Sequence, residues 1–222
     1  MMPSHLGARL LCMNGMADSR KLPFDALIFD VGGIFILHDN EQLFQRLAAS
    51  CSAPDAVDHI REAAFDPDIT TGARPVRDVY DEIVVELGYA RDWRGFLADW
   101  SSHFSVDHAM LALLAMLART HRVLLFSNTN REHWDHVTKL ADGALGRYDA
   151  YLSHEIGDMK PRATAFRLVA SQTGIAPQRA LFVDDLAENV AAARALGFRG
   201  HIYTSREALE RFLASLGTPT QL

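Results

Sequence analysis

The sequence predicts an α/β fold: a three-layer α/β/α core around a parallel sheet, with a small helical cap inserted after the first strand. Three observations carry this. Apolar runs at 26–29, 122–127, 148–152, 180–184 and 199–203 have the length of buried strands and end in turn-forming or polar residues. Segments of helical period separate the later runs, so strand and helix alternate as crossover units require. Between the first run and about residue 104, only helical spacing is found. A chain of 222 residues has room for a core and a smaller attached unit, and 49% hydrophobic residues supply the apolar material.

Residues 1–21 carry no clear period and read as a loosely held, disordered extension. The LLCM segment there is interrupted by Asn14 and Gly15 too early for a secretory leader, and Met13 and Met16 are alternative starts. The first strand then runs into Asp30, followed by Gly32 and Gly33 and a second apolar group at 34–37. Glycines there let the backbone turn sharply or approach a ligand. Asp30 therefore stands at the carboxyl end of a strand, which is where open α/β sheets bind ligands. An Asp in that place also serves simply to accept backbone hydrogen bonds in a tight turn.

Residues 41–50 place Leu43, Phe44 and Leu47 at helical spacing, with Asn40 as an available N-cap. A second helix is expected over 57–65 and a loop from Pro67 through 70–72. A third spans 76–87, with Val79, Ile83, Val84 and Leu87 on one face and Gly88 as its stop. A fourth, over 91–104, repeats Trp93, Phe96, Leu97 and Trp100 at three- and four-residue intervals; burial between helices is their simplest use. Asp107 then caps a helix containing Met110, Leu111, Leu114 and Leu117. The remaining helices are expected over 131–140, 161–173 with Pro161 in the favoured first turn, 187–196 stopped by Gly197, and 206–216. The core thus comprises 22–37 and 105–222, and the cap 38–104. Leaving from the first strand's exit loop, the cap can cover the sheet's ligand edge.

A net charge of −6, from 28 acidic and 22 basic side chains without a dense basic block, argues against nucleic acid and anionic membrane as main partners. It is compatible with a small anionic metabolite, which needs one local positive site. Two cysteines, Cys12 and Cys51, form neither a disulfide framework nor a CxxC pair and read as reduced thiols of a cytoplasmic protein. No apolar segment reaches the length of a membrane span. A monomer or homodimer is expected.

Four groups fall at strand ends or helix starts: Asp30; Ser127 with Asn128; Lys160; and Asp184 and Asp185 with Asn189. Each has a plain alternative, since a lone Ser caps a helix, a Lys beside proline is usually solvated, and Asp185 with Asn189 can decorate a helix start. Together they supply carboxylates, a hydroxyl and an ammonium. Carboxylates without thiolate or a histidine cluster prefer a hard cation such as Mg²⁺. That cation would cancel carboxylate repulsion and neutralise a phosphoryl oxygen, while Lys160 compensates the remaining charge and Asp30 attacks in line.

The motifs FDVGG at 29–33, LLFSNTNR at 124–131, LSHEIGDMKP at 152–161 and LFVDDLAENVAAARALG at 181–197 occur in an order and spacing that resembles the haloacid-dehalogenase-like hydrolases. Within them the chain is similar to the glucose-1-phosphatase-like members with a helical cap and a DxG first motif. The resemblance covers about residues 24–205. It implies a Rossmann-like core of strand order 3-2-1-4-5 with Asp30 central, and a magnesium-dependent phosphatase. Asp30 would be the aspartyl nucleophile and a metal ligand, Ser127 and Asn128 would bind the transferred group, and Lys160 would steady nucleophile and phosphate. Asp185 and the Gly32 carbonyl would serve the metal, with Asp184 and Asn189 as support.

Gly32 is the departure. Most phosphatases of this group place a second Asp there to protonate the leaving oxygen, help typically worth roughly 100- to 10,000-fold. His38 and His154 are substitutes by chemistry, although a structural role is the simpler reading of each. Two rivals remain open. A dehalogenase would use Asp30 on carbon without metal, but the paired acids Asp184 and Asp185 stand where those enzymes tend to carry Ser and Asn. A non-catalytic binding or regulatory protein would retain the fold, against which the joint presence of Asp30, Ser127, Lys160 and Asp185 argues. Substrate identity is expected to lie in the cap, where Arg74, Arg77, Trp93, Trp100 and His103 are candidates for contact; salt bridges and packing are their alternative.

Overall fold

The computed structural model describes residues 23–216. The readings made for 1–21, including Cys12 and the alternative starts, lie outside the described residues. In chain order the elements are β1 Ala26–Phe29, β2 Ile36–His38, α1 Asn40–Ala48, α2 Ala56–Ala64, α3 Pro67–Thr71, α4 Val76–Leu87, α5 Trp93–Trp100, β3 Phe104–Val106 and α6 His108–Leu117. They continue as β4 Arg122–Ser127, α7 Arg131–Leu140, β5 Asp149–Leu152, α8 Ser153–Ile156, α9 Ala163–Thr173, β6 Ala180–Asp184, α10 Ala187–Ala195, β7 Arg199–Ile202 and α11 Arg206–Ser215.

Five strands pair in the order β5-β4-β1-β6-β7, all parallel, which is the 3-2-1-4-5 order when they are counted along the chain. β1 is central, with Phe29 level with Leu125 on one side and Val183 on the other. Side chains alternate between the two faces of a strand. Leu27, Phe29, Leu125 and Val183 accordingly pack against Met110, Leu113 and Leu114 of α6 and Leu209 and Leu213 of α11. Ile28, Leu124, Phe126 and Phe182 face the other way, toward Phe166 and Val169 of α9 and Val190 of α10. Burial on both faces explains why these strands read as continuous apolar runs.

Helices α1 to α5 insert between β2 and β3 and enclose their own apolar cluster. Phe96 is stacked between Trp93 and Trp100, both ring pairs at 5.4 Å. Asp99 is buried beneath them and holds α5 to its surroundings, accepting from Arg46 Nε at 2.9 Å and the Tyr89 hydroxyl at 2.9 Å, and pairing with Arg91. Ser153, at the end of β5, ties this helical unit to the sheet: its Oγ lies 2.6 Å from the Thr70 carbonyl and accepts from the Thr129 N–H at 2.8 Å. Among the described residues no helix is long and apolar enough to cross a membrane.

The structure departs from the sequence reading in five places. Asp39 rather than Asn40 caps α1, its Oδ1 accepting from the Gln42 N–H at 3.1 Å. Residues 36–38 and 104–106 form a short antiparallel pair, so the helix expected over 91–104 ends at Trp100. Leu37 and His38 are exposed and their partners lie far along the chain, which leaves no local alternation to recognise. Residues 67–71, expected as loop, form a helix that Asp66 caps by accepting from the Asp68 N–H at 2.9 Å; five residues are too few to show a period. The four residues of α8 are likewise too few to show a period. Finally, the helix expected from Pro161 starts at Ala163. The backbone of Lys160 is held in a turn by Asn128, whose Oδ1 accepts from its N–H at 2.9 Å and whose Nδ2 donates to its carbonyl at 2.8 Å.

Candidate active site

β1, β4 and β6 end together, and the three strand ends bring Asp30, Ser127 and Asp184 to one edge of the sheet. Asp30 N–H donates to the Val183 carbonyl at 2.9 Å, which fixes the start of its loop against β6. Lys160 reaches in beneath them. Its Nζ lies 2.8 Å from Asp30 Oδ1 and 2.8 Å from Asp184 Oδ2, and donates to the Phe126 carbonyl at 2.8 Å. Three acceptors use all three N–H bonds of the ammonium, so this fully buried cation has a fixed position. Burial acts against its charge, but the two carboxylates more than offset that and hold its pKa above the ordinary lysine value.

Asp184 is buried and fully engaged: besides Lys160 it accepts from the Leu186 N–H at 2.9 Å and from Asn189 Nδ2 at 3.0 Å. Asn189, in the first turn of α10, thus holds the Asp184 carboxylate from one side. Asp185, half-buried, carries no such set of partners, and its pKa is raised first by burial and then by the charge of Asp184. Oxygen atoms of Asp30, Asp184 and Asp185 all lie within 4.8 Å of one another. Burial pushes the Asp30 carboxyl up to about 6, with Lys160 pulling it down and Asp184 adding to the rise. Gly33 is required beside them: its φ is +67°, and a Cβ there would collide with the Asp185 carboxylate. Gly32 is different, because a Cβ on it would meet nothing closer than His38 Cε1 at 3.7 Å.

Asp30, Gly32, Ser127, Lys160, Asp185 and Asn189 line one cavity of 580 Å³ roofed by the helical unit, with Asn128, Thr70, His103 and Phe104 on its walls, while Asp184 lies behind it. Asn128 lines it, but its side-chain amide is committed at both ends to the Lys160 backbone. His38 also lines the cavity; His154 does not, and its Nδ1 instead lies 3.1 Å from the Thr129 carbonyl. Trp93 and Trp100 serve packing, while Arg74 pairs with Asp66 and Glu82, and Arg77 pairs with Asp81 and lies over Tyr80 and Trp93. None of these four lines the cavity, whereas His103 does.

His133 is a cavity residue the sequence reading passed over. Asn130 caps α7, with Oδ1 accepting from the His133 N–H at 2.9 Å; an N-cap Asn three residues before a His is the signal that was available. The imidazole Nε2 donates to the Trp100 carbonyl at 3.0 Å and Nδ1 accepts from Asn130 Nδ2 at 3.2 Å, an arrangement open only to the neutral ring. Burial, with help from neighbouring His103, accordingly drives its pKa down to about 3. The unfolded chain takes up this proton near the ordinary value of 6.5 while the folded protein does not, so stability is lost as pH falls from 6.5 towards 3. A melting temperature that declines over this window, and declines less in His133→Gln, is the expected result; parallel profiles in the two proteins would contradict it.

The sequence model of the haloacid dehalogenase-like hydrolase family matches residues 24–197. The D-ribitol-5-phosphate phosphatase of Bacteroides thetaiotaomicron is 24% identical over 182 residues, 78% of this chain and 88% of that protein. A haloacid dehalogenase family enzyme of the same organism, solved with magnesium and inorganic phosphate, superposes with a TM-score of 0.72 at 25% identity, over 82% of this chain and 96% of that one. The L-2-haloacid dehalogenase of Xanthobacter autotrophicus shares the fold at a TM-score of 0.56 and 20% identity, over 86% and 83% of the two chains.

Proposed function

The chain belongs to the haloacid dehalogenase-like hydrolases, and we propose that within them it is a magnesium-dependent phosphomonoester hydrolase acting on a small phosphorylated metabolite through a phosphoaspartate at Asp30. The observation that carries this is the charge set at the strand ends. Three carboxylates within 4.8 Å of one another face one ammonium, which leaves two negative charges in excess. A divalent hard cation is what such an oxygen donor set accommodates. Asp30, Asp185 and the Gly32 carbonyl would hold it, while Asp184, engaged by Lys160, Leu186 and Asn189, would orient the set. Bound there, Mg²⁺ supplies Lewis-acid neutralisation of the phosphoryl group.

In this reading the Asp30 carboxylate attacks phosphorus, the ester P–O bond breaks, and water then releases inorganic phosphate and regenerates the carboxylate. Lys160 fixes the attacking oxygen, and Ser127 with Asn128 and Lys160 borders the transferred group. Residues 38–104 would act as the cap over 22–37 and 105–222. The sequence Asp30-Val31-Gly32 matches the glucose-1-phosphatase-like pattern, and a sugar 1-phosphate is the favoured substrate, since an anomeric oxygen leaves more readily than a primary alkoxide. Apart from the fully engaged Lys160 the described cavity residues include no Lys or Arg, which suits a substrate with no anionic group beyond its one phosphoryl group. The related phosphatase acting on D-ribitol 5-phosphate and the relative solved with magnesium and phosphate support the class.

Asp185→Ala tests the metal assignment. The magnesium concentration giving half-maximal hydrolysis of nitrophenyl phosphate is expected to rise by about 10-fold or more, as for loss of a metal-orienting group, together with a fall in rate. An unchanged magnesium titration would remove Asp185 from the metal site.

A further inference from the structure

A phosphatase of this kind must give its leaving oxygen a proton, and position 32 has no side chain to do so. The ring of His38 stands beside that empty position. Its Cε1 and Nδ1 would be the nearest heavy atoms to a Cβ on Gly32, at 3.7 and 3.8 Å, so the imidazole borders the space a carboxyl group there would enter. The local backbone accounts for this. Gly33 N–H donates to the Ile36 carbonyl at 2.9 Å and Ile36 N–H to the Val31 carbonyl at 3.1 Å, folding β2 back over the loop that carries Asp30. Gly32 and Ile36 form an isolated bridge in that fold. His38 lies two residues beyond Ile36, on the same side of the strand, and both line the cavity.

Elimination points the same way. The ionisable side chains lining the cavity, among the described residues, are Asp30, His38, His103, His133, Lys160, Asp185 and Glu188. Asp30 and Lys160 are held to each other, and Asp185 faces the carboxylate cluster. His103 is buried and His133 half-buried, both are held neutral, and both nitrogens of His133 are already engaged. Glu188 sits in the first turn of α10, following Asp185, with nothing that places it against Gly32. His38 is exposed to the cavity and adjoins the vacant position.

We propose that His38 is the acid and base that replaces the side chain missing at Gly32. As the ester P–O bond breaks, its electron pair stays on the leaving oxygen, which takes the imidazolium N–H proton and departs as the neutral alcohol. The neutral ring then accepts a proton from water as that water's oxygen bonds to the phosphorus of the phosphoaspartate. The Asp30–phosphorus bond breaks, inorganic phosphate leaves, and the imidazolium is restored.

The proposal rests on the phosphatase reading, and the test separates the two. In magnesium, kcat/KM is measured for wild type, Asp30→Asn, His38→Gln and the double variant His38→Gln, Gly32→Asp, on nitrophenyl phosphate and on a primary alkyl phosphate. A nitrophenolate leaves without a proton and an alkoxide does not. His38→Gln is therefore expected to lose about 100-fold or more on the alkyl ester and less than about threefold on the nitrophenyl ester. Its melting temperature and its inhibition by inorganic phosphate are expected to match wild type. Gly32→Asp, whose Cβ would meet no atom closer than 3.7 Å, should return alkyl ester activity to the His38→Gln protein. Equal losses on both esters, or none on either, would overturn the role of His38. Absence of Asp30-dependent turnover on either ester in wild type would overturn the phosphatase reading and this inference with it.

Discussion

Asp30→Asn is expected to lose hydrolysis by a factor on the order of 10⁵ to 10⁶, the scale on which a covalent nucleophile is missed, while the fold survives. The amide is nearly the same size as the carboxylate and sits at the end of a strand whose other contacts are untouched. Lys160 keeps Asp184 and the Phe126 carbonyl as partners. Burial pushes the Asp30 carboxyl up to about 6, which means that the folded protein tolerates its charge rather than gaining from it. A neutral amide removes that cost but also one of the two charges that hold Lys160, so the melting temperature without added metal should stay within a few degrees of wild type and well above that of Lys160→Met. Calorimetry alongside the rate measurement checks both halves; a variant that keeps its activity would exclude the covalent route.

Lys160→Met is expected to produce the largest stability loss of any single site replacement. Methionine fills most of the lysine volume, but it leaves Asp30 and Asp184 buried and facing each other without the ammonium that lies 2.8 Å from each. Breaking a buried ionic set by removing one partner costs about 3–5 kcal/mol. For a domain of this size that lowers the melting temperature by roughly 2–4 °C per kcal/mol. Hydrolysis should be lost with it, since the proposed mechanism uses the same ammonium to steady the attacking oxygen. Thermal melts in chelator read the effect. A loss below about 1 kcal/mol would mean that Asp30 and Asp184 shed the charge by protonation and that Lys160 is not their main support.

What the sequence could disclose follows from how each residue is positioned. Asp30, Ser127 and Asp184 terminate apolar runs, and a parallel sheet brings such ends together whatever the details, so residue types at run ends already describe a site. Lys160 is another matter. It reaches the strands because Asn128 grips its backbone from both sides, a pairing across 32 positions that no local pattern announces. The sequence offers it as a charged group beside a helix start, whereas its reach to Asp30 is implied only by the resemblance of the surrounding motif. The short pair β2 and β3 was hidden for the same reason, being held by partners far along the chain, and with it the return of His38 over Gly32. Trp93, Phe96 and Trp100 were legible as packing because helical spacing reports burial directly. His133 was not, because a polar residue in a first turn reads as solvated until the Trp100 carbonyl is found 3.0 Å away.

In the proposed mechanism Asp30 attacks phosphorus, with a metal, rather than carbon, without one. Release of inorganic phosphate from nitrophenyl phosphate and of halide from a 2-haloacid, each measured with magnesium and with chelator on wild type and Asp30→Asn, decides it. Phosphate release that requires both magnesium and the Asp30 carboxylate, with no halide release, is the predicted result. Halide release that persists in chelator while the phosphate ester stays intact would contradict it.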